Sequence, residues 1–79
     1  MPAIKIPGSP YTFSFFSNER GEPMHVHVRR ERNKAKFWMN PVSLCKSKGF
    51  AAHELGKIEM IIIENRTEIE RAWNEHFRA

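Results

Sequence analysis

Two runs of strict alternation lie back to back in the middle of the chain and constrain its fold more than any other feature. From Met24 to Arg30, Val26 and Val28 fall on one side while His25, His27 and Arg29 fall on the other. After a charged turn at Glu31 to Asn33, Ala35, Phe37 and Met39 share one side and Lys36, Trp38 and Asn40 the opposite one. Successive strand side chains point to opposite faces, so this is the period of a β-hairpin with one buried face. Matching apolar to apolar sets the register and gathers His25, His27, Lys36 and Trp38 on the second face.

The flanks extend this hairpin into a small sheet. Pro2, Pro7, Gly8 and Pro10 make residues 1–10 an extended arm. Tyr11 to Ser17 alternates as a half-buried strand, and Asn18 to Gly21 reads as a turn. Pro41 ends the third strand, and Val42 to Cys45 suit a short edge strand. Gly49 then separates a sheet over 11–46 from a helical segment over 50–78. In that segment Leu55, Ile58 and Ile62, then Ile69, Trp73 and Phe77, keep helical spacing and should cover the apolar sheet face. Thr67 followed by Glu70 fits a capping box, which would divide the segment near Asn65 to Thr67 into two helices; a single kinked helix fits the same spacing. Ile61 and Ile63 cannot both join the stripe, so one side of the first helix should be apolar and open to the N-terminal arm or a partner. The expected class is α+β: three or four antiparallel strands packed against one or two C-terminal helices.

Length and charge narrow the possibilities further. A chain of 79 residues buries only about 60% of its unfolded surface, which supports one core and hence a single domain over 1–79. So small a core also makes a homodimer plausible. Met60 to Ile63, the longest apolar run, is far short of the roughly 20 residues that cross a bilayer. One cysteine, Cys45, and no leader-like opening suggest the cytoplasm. Residues 20–48 hold eight Lys and Arg against Glu22 and Glu31, a local charge of +6, whereas 49–79 sum to −2. The middle of the chain should therefore attract polyanions or an acidic partner.

His25 and His27 carry the sharpest chemistry. Two imidazoles on one strand face could divide acid and base work or share a metal. A metal would need a third ligand, and His53, His76, Cys45 and Glu22 stand at no recognisable ligand spacing, so neither metal nor cofactor is expected. Metal-free cleavage of RNA needs a base for the 2′-hydroxyl, an acid for the leaving oxygen and a cation for the phosphate; His25, His27, Arg29, Arg30 and Lys36 supply those groups. Decoration of a solvated basic strand by two histidines explains the same pattern. Trp38 beside Lys36 suits base stacking, or simply packing under the arm. His53 and His76 belong to the helical half, facing solvent or a helix end, and Cys45 lacks an obvious base neighbour.

The segments Phe13 to Glu19, Glu22 to Val28, Ala35 to Pro41, Gly49-Phe50 and Glu70 to Glu75 together resemble the small bacterial proteins of the domain of unknown function 4160 family, whose mark is a Pro-Pro-His-x-His strand. The resemblance runs from Lys5 to Phe77, and the family's histidines map onto His25 and His27. The chain departs in having Met24 for the second proline, Glu31 and Asn33 where glycines often form the turn, and Ala51 where serine would cap a helix. Such proteins are often encoded beside a second small protein in a pair resembling a type II toxin and antitoxin. The resemblance thus implies a toxin that inhibits translation, acting through its basic histidine hairpin on RNA or a translation component such as the ribosome and held by a cognate antitoxin. The competing expectation is a non-catalytic module that binds a partner protein or nucleic acid.

Overall fold

The computed structural model describes residues 3–4, 6, 8–15, 21 and 23–77, with side chains at all of these but 3 and 77. Among the described residues five strands, β1 (Ala3–Ile4), β2 (Thr12–Ser14), β3 (His25–Arg30), β4 (Asn33–Met39) and β5 (Val42–Lys48), form one antiparallel sheet in chain order. Two helices follow, α1 (Ala52–Glu64) and α2 (Arg66–Phe77). The molecule is α+β as its periodicities predict. No described helix is long and apolar enough to cross a membrane.

The hairpin register is the one that buries both apolar sets: Val26 faces Phe37 and Val28 faces Ala35, while Phe13 of β2 faces Val28. Phe13, Phe15, Val26, Val28, Phe37 and Met39 are all essentially solvent-free. Ile58 and Ile62 of α1, Ile69 and Trp73 of α2, and Phe50 complete that core. The helices therefore cover the apolar sheet face, with Trp73 of α2 also meeting His25 at the start of β3, and the opposite face carries the polar half of each alternation.

Three details depart from the sequence reading. The N-terminal arm contributes a strand, because Ala3 and Ile4 pair with Ser14 and Phe13, and Ile4 and Ile6 pack against the core. Two isoleucines spaced for one strand face were masked by the neighbouring prolines. β5 runs on to Lys48, past the short edge strand expected at Val42 to Cys45. The two helices do part, but at Asn65 and not through a Thr67 capping box. The Asn65 side-chain amide donates to the Ile61 carbonyl at 2.8 Å, and the Asn65 carbonyl accepts the first α2 bond, from Ile69. One asparagine thus closes α1 and opens α2. The expected turn at Asn18 to Arg20, the end of the first strand at Phe16 and Ser17, and the core role of the Phe77 side chain lie outside the described residues.

On α1, Ile61 is half-buried, whereas Met60 and Ile63 are 56% and 45% exposed, so the apolar open side predicted for this helix is present. Gly49, at the sheet-to-helix junction, has φ of 95°, and a Cβ there would collide with the Asn33 side chain. That position requires glycine for both reasons.

Candidate nucleic-acid interface

Directly opposed residues of antiparallel strands share a face, so the register writes out the outer face row by row. One row crosses the sheet as Thr12, Arg29, Lys34 and Lys48. The next is Ser14, His27, Lys36 and Lys46, and a third holds His25, Trp38 and Ser43. The first two rows line a groove of about 500 Å³, with no carboxylate among its described lining residues. Two ranks of cations flanked by hydroxyls form a surface suited to phosphate oxygens.

Lys46 and Lys48 reach this face through an irregularity in β5. Lys36 pairs with Lys46 while the adjacent Phe37 pairs with Leu44, leaving Cys45 as an extra residue in the ladder. Strict alternation would put Leu44, Lys46 and Lys48 on one side. The β-bulge lets Leu44 face the core side and turns both lysines outward. Sequence reasoning missed Lys46 and Lys48 as members of the site for this reason, and missed Thr12 and Ser14 because no local signal pairs them with the histidines; Lys34, two residues before Lys36 on β4, shares its face by simple alternation.

The two histidines lie on one face as expected but in different surroundings. Their ring centroids are 5.3 Å apart and nearly perpendicular. His27 is half-buried and lines the groove. His25 is fully enclosed, with Trp38 at 5.7 Å and Trp73 of α2 at 5.1 Å. Its Nδ1 lies 2.8 Å from the Pro23 carbonyl oxygen; a carbonyl can only accept, so that nitrogen carries the hydrogen. Trp73 also meets Phe15 edge-on at 5.2 Å, so the ring that joins α2 to the core also shuts His25 from solvent. His27 thus lines the groove, while His25 is closed off from solvent beside it.

Lys36 is only 7% exposed, and its Nζ sits 4.9 Å from the Trp38 ring centroid. The ammonium thus already occupies the neighbourhood of the indole that base stacking would use. Arg29 belongs to the groove, but Arg30 does not. Arg30 Nη1 is 3.5 Å from Glu54 Oε2, and its guanidinium lies 5.9 Å over the Tyr11 ring. The Tyr11 hydroxyl donates to the same Glu54 oxygen at 2.9 Å, and its ring packs edge-on to Phe13 and Phe50. Arg30 therefore belongs to a polar clasp between the sheet and α1. Burial foremost, and then the bond to Glu54 and its charge, raise the Tyr11 pKa, against a smaller opposing pull from Arg30.

His53 and Cys45 are exposed, and His76 is half-buried with its ring stacked on Phe15 at 6.1 Å. Among the described residues no three His, Cys, Asp or Glu side chains gather as a metal site. No curated protein and no solved structure matches this chain. The model of one family does match, over residues 11–74, a span that runs from the start of the core sheet through most of α2 and includes both histidines and the whole basic groove; the chain belongs to the family described as Domain of unknown function (DUF4160).

Proposed function

We propose that this protein binds RNA through the outer face of its sheet and, as the toxin of a type II toxin–antitoxin pair, stops translation in the cytoplasm. The observation that carries the reading is the pair of cation-bearing rows, Arg29–Lys34–Lys48 and Lys36–Lys46 beside His27, with Thr12 and Ser14 next to them and no carboxylate in the described groove lining. Like charges placed directly opposite one another destabilise a sheet, so such a face is readily explained by a ligand that neutralises it. Phosphates of a nucleic-acid backbone do so, and contacts to them are sequence-independent and steeply salt-sensitive. The cognate antitoxin would compete for the same face with acidic side chains.

The test is induced expression in a bacterial host, alone and with the neighbouring gene, of wild type and of Arg29→Gln/Lys34→Gln/Lys48→Gln. Growth arrest with falling incorporation of labelled amino acid, relieved by the neighbour and by the triple variant, is the expected result. Undiminished growth with abundant folded wild-type protein would remove the toxin reading. The burial of His25 favours a second reading, a non-catalytic module that holds nucleic acid or a partner protein. It predicts binding without loss of RNA.

A further inference from the structure

Lys36 differs from the other lysines of the groove. Lys34, Lys46 and Lys48 are exposed, as suffices for drawing in a polyanion, whereas Lys36 is almost wholly buried. Burying an ammonium has a desolvation cost that loose attraction does not call for. The buried cation is fixed near the Trp38 ring and lies directly across the ladder from His27. Opposed side chains of an antiparallel pair have Cβ atoms about 5 Å apart, within reach of one phosphodiester. His27 is in turn held by the edge of His25, whose own ring is fixed by the Pro23 carbonyl and the two tryptophans. An imidazole and an ammonium, both held in place at the floor of a phosphate-binding groove, are a base and an acid in register.

We infer that His27 and Lys36 form a metal-independent dyad that cleaves RNA by internal transesterification; the inference rests on the RNA-binding reading of the same face. His27 takes the proton of a ribose 2′-hydroxyl, and the 2′-oxygen forms a bond to the adjacent phosphorus. The bond from phosphorus to the 5′-oxygen breaks, and that oxygen leaves with a proton from Lys36 Nζ. The products are a 2′,3′-cyclic phosphate and a 5′-hydroxyl. The imidazolium returns its proton to the Lys36 amine through water, so the dyad is restored with no net proton or electron consumed. Arg29 and Lys46, the cations beside the pair, neutralise the non-bridging oxygens. His25 is a positioning residue, and DNA, lacking the 2′-hydroxyl, is a ligand that cannot be cut.

The experiment incubates the full chain, in the presence of EDTA, with an end-labelled mixed-sequence RNA and with DNA of the same sequence, while anisotropy measures binding of each. The expected result is cleavage of RNA to cyclic-phosphate ends, with DNA bound and intact. His27→Ala and Lys36→Arg should each cut at least about 100-fold more slowly at saturating protein, a loss far larger than any weakening of binding that anisotropy records, because a positioned acid or base contributes a factor on the order of 10² to 10⁴. Lys36→Arg keeps the buried charge, so it tests proton donation without emptying the site; His27→Gln replaces His27→Ala if the latter fails to melt cooperatively. RNA bound but uncut by wild type, or cut at wild-type rate by Lys36→Arg, overturns the dyad and leaves the binding function standing. Binding of neither nucleic acid overturns both.

Discussion

Glu31 is held at φ of 57°, in the two-residue loop between the paired Arg30 and Asn33. A side chain with a Cβ in the left-handed region costs roughly 1–2 kcal/mol, most of which glycine avoids. Glu31→Gly is therefore expected to stabilise the fold by about 0.5–1 kcal/mol after its extra unfolded-state entropy is counted, read as a higher urea midpoint at unchanged slope. Tyr11 supplies a second test at this scale. Its pKa is raised above the ordinary value of 10.0, so the folded protein keeps a proton that the unfolded chain releases. The associated stability is complete below that ordinary value and is lost as pH climbs through the raised folded one. Tyr11 is the chain's one tyrosine. Urea midpoints of wild type should consequently fall more steeply than those of Tyr11→Phe as pH rises through and above 10.0; parallel curves would refute a protonated Tyr11–Glu54 bond.

At the scale of elements, the hairpin was legible because a single period ran through both of its strands. Val26 and Val28 could only bury against Ala35 and Phe37, and that match carried His25, His27, Lys36 and Trp38 to one face with the pairing the structure shows. The enclosure of His25 was not legible, because Trp73 lies far along the chain and no local pattern links the two. The same holds for β5, where a bulge at Cys45 reverses the sense of the alternation. Removing the extra residue should keep Leu44 inward and the lysines outward, so deletion of Cys45 is expected to leave heparin affinity within about three-fold of wild type, a change below 1 kcal/mol. A collapse of affinity would mean that the bulge itself shapes the groove. At the start of α1, Ala51 has extended geometry (φ −74°, ψ 157°) and no side-chain cap, although its carbonyl already accepts from Glu54 and Leu55. Ala51→Ser should add a hydroxyl acceptor for the first-turn amides and raise stability by about 1 kcal/mol, measured by thermal melting.

For the whole molecule, the binding role proposed for the basic face sets affinity against stability. The apolar core and the clasp at Glu54 lie on one side of the sheet, while the groove on the other places Lys34 opposite Lys48 and Lys36 opposite Lys46. Each like-charged pair destabilises by a few tenths to about 1 kcal/mol, and salt screens that repulsion over roughly 10 Å at 0.1 M. Raising ionic strength should therefore raise the melting temperature, opposite to the trend for a protein held by surface ion pairs. A polyanion such as heparin should raise it further by mass action. Lys34→Gln/Lys48→Gln should melt higher than wild type in low salt, by about 4–8 °C per kcal/mol relieved in a domain of this size. The same variant should bind RNA more weakly, with its plot of log affinity against log salt flattened by about 0.7 for each single-strand phosphate it no longer neutralises. Higher stability together with weaker affinity is the signature of charges retained for binding at the expense of the fold. If stability and affinity fell together, the lysines would be structural members of the sheet, and the groove would have to find its anion elsewhere.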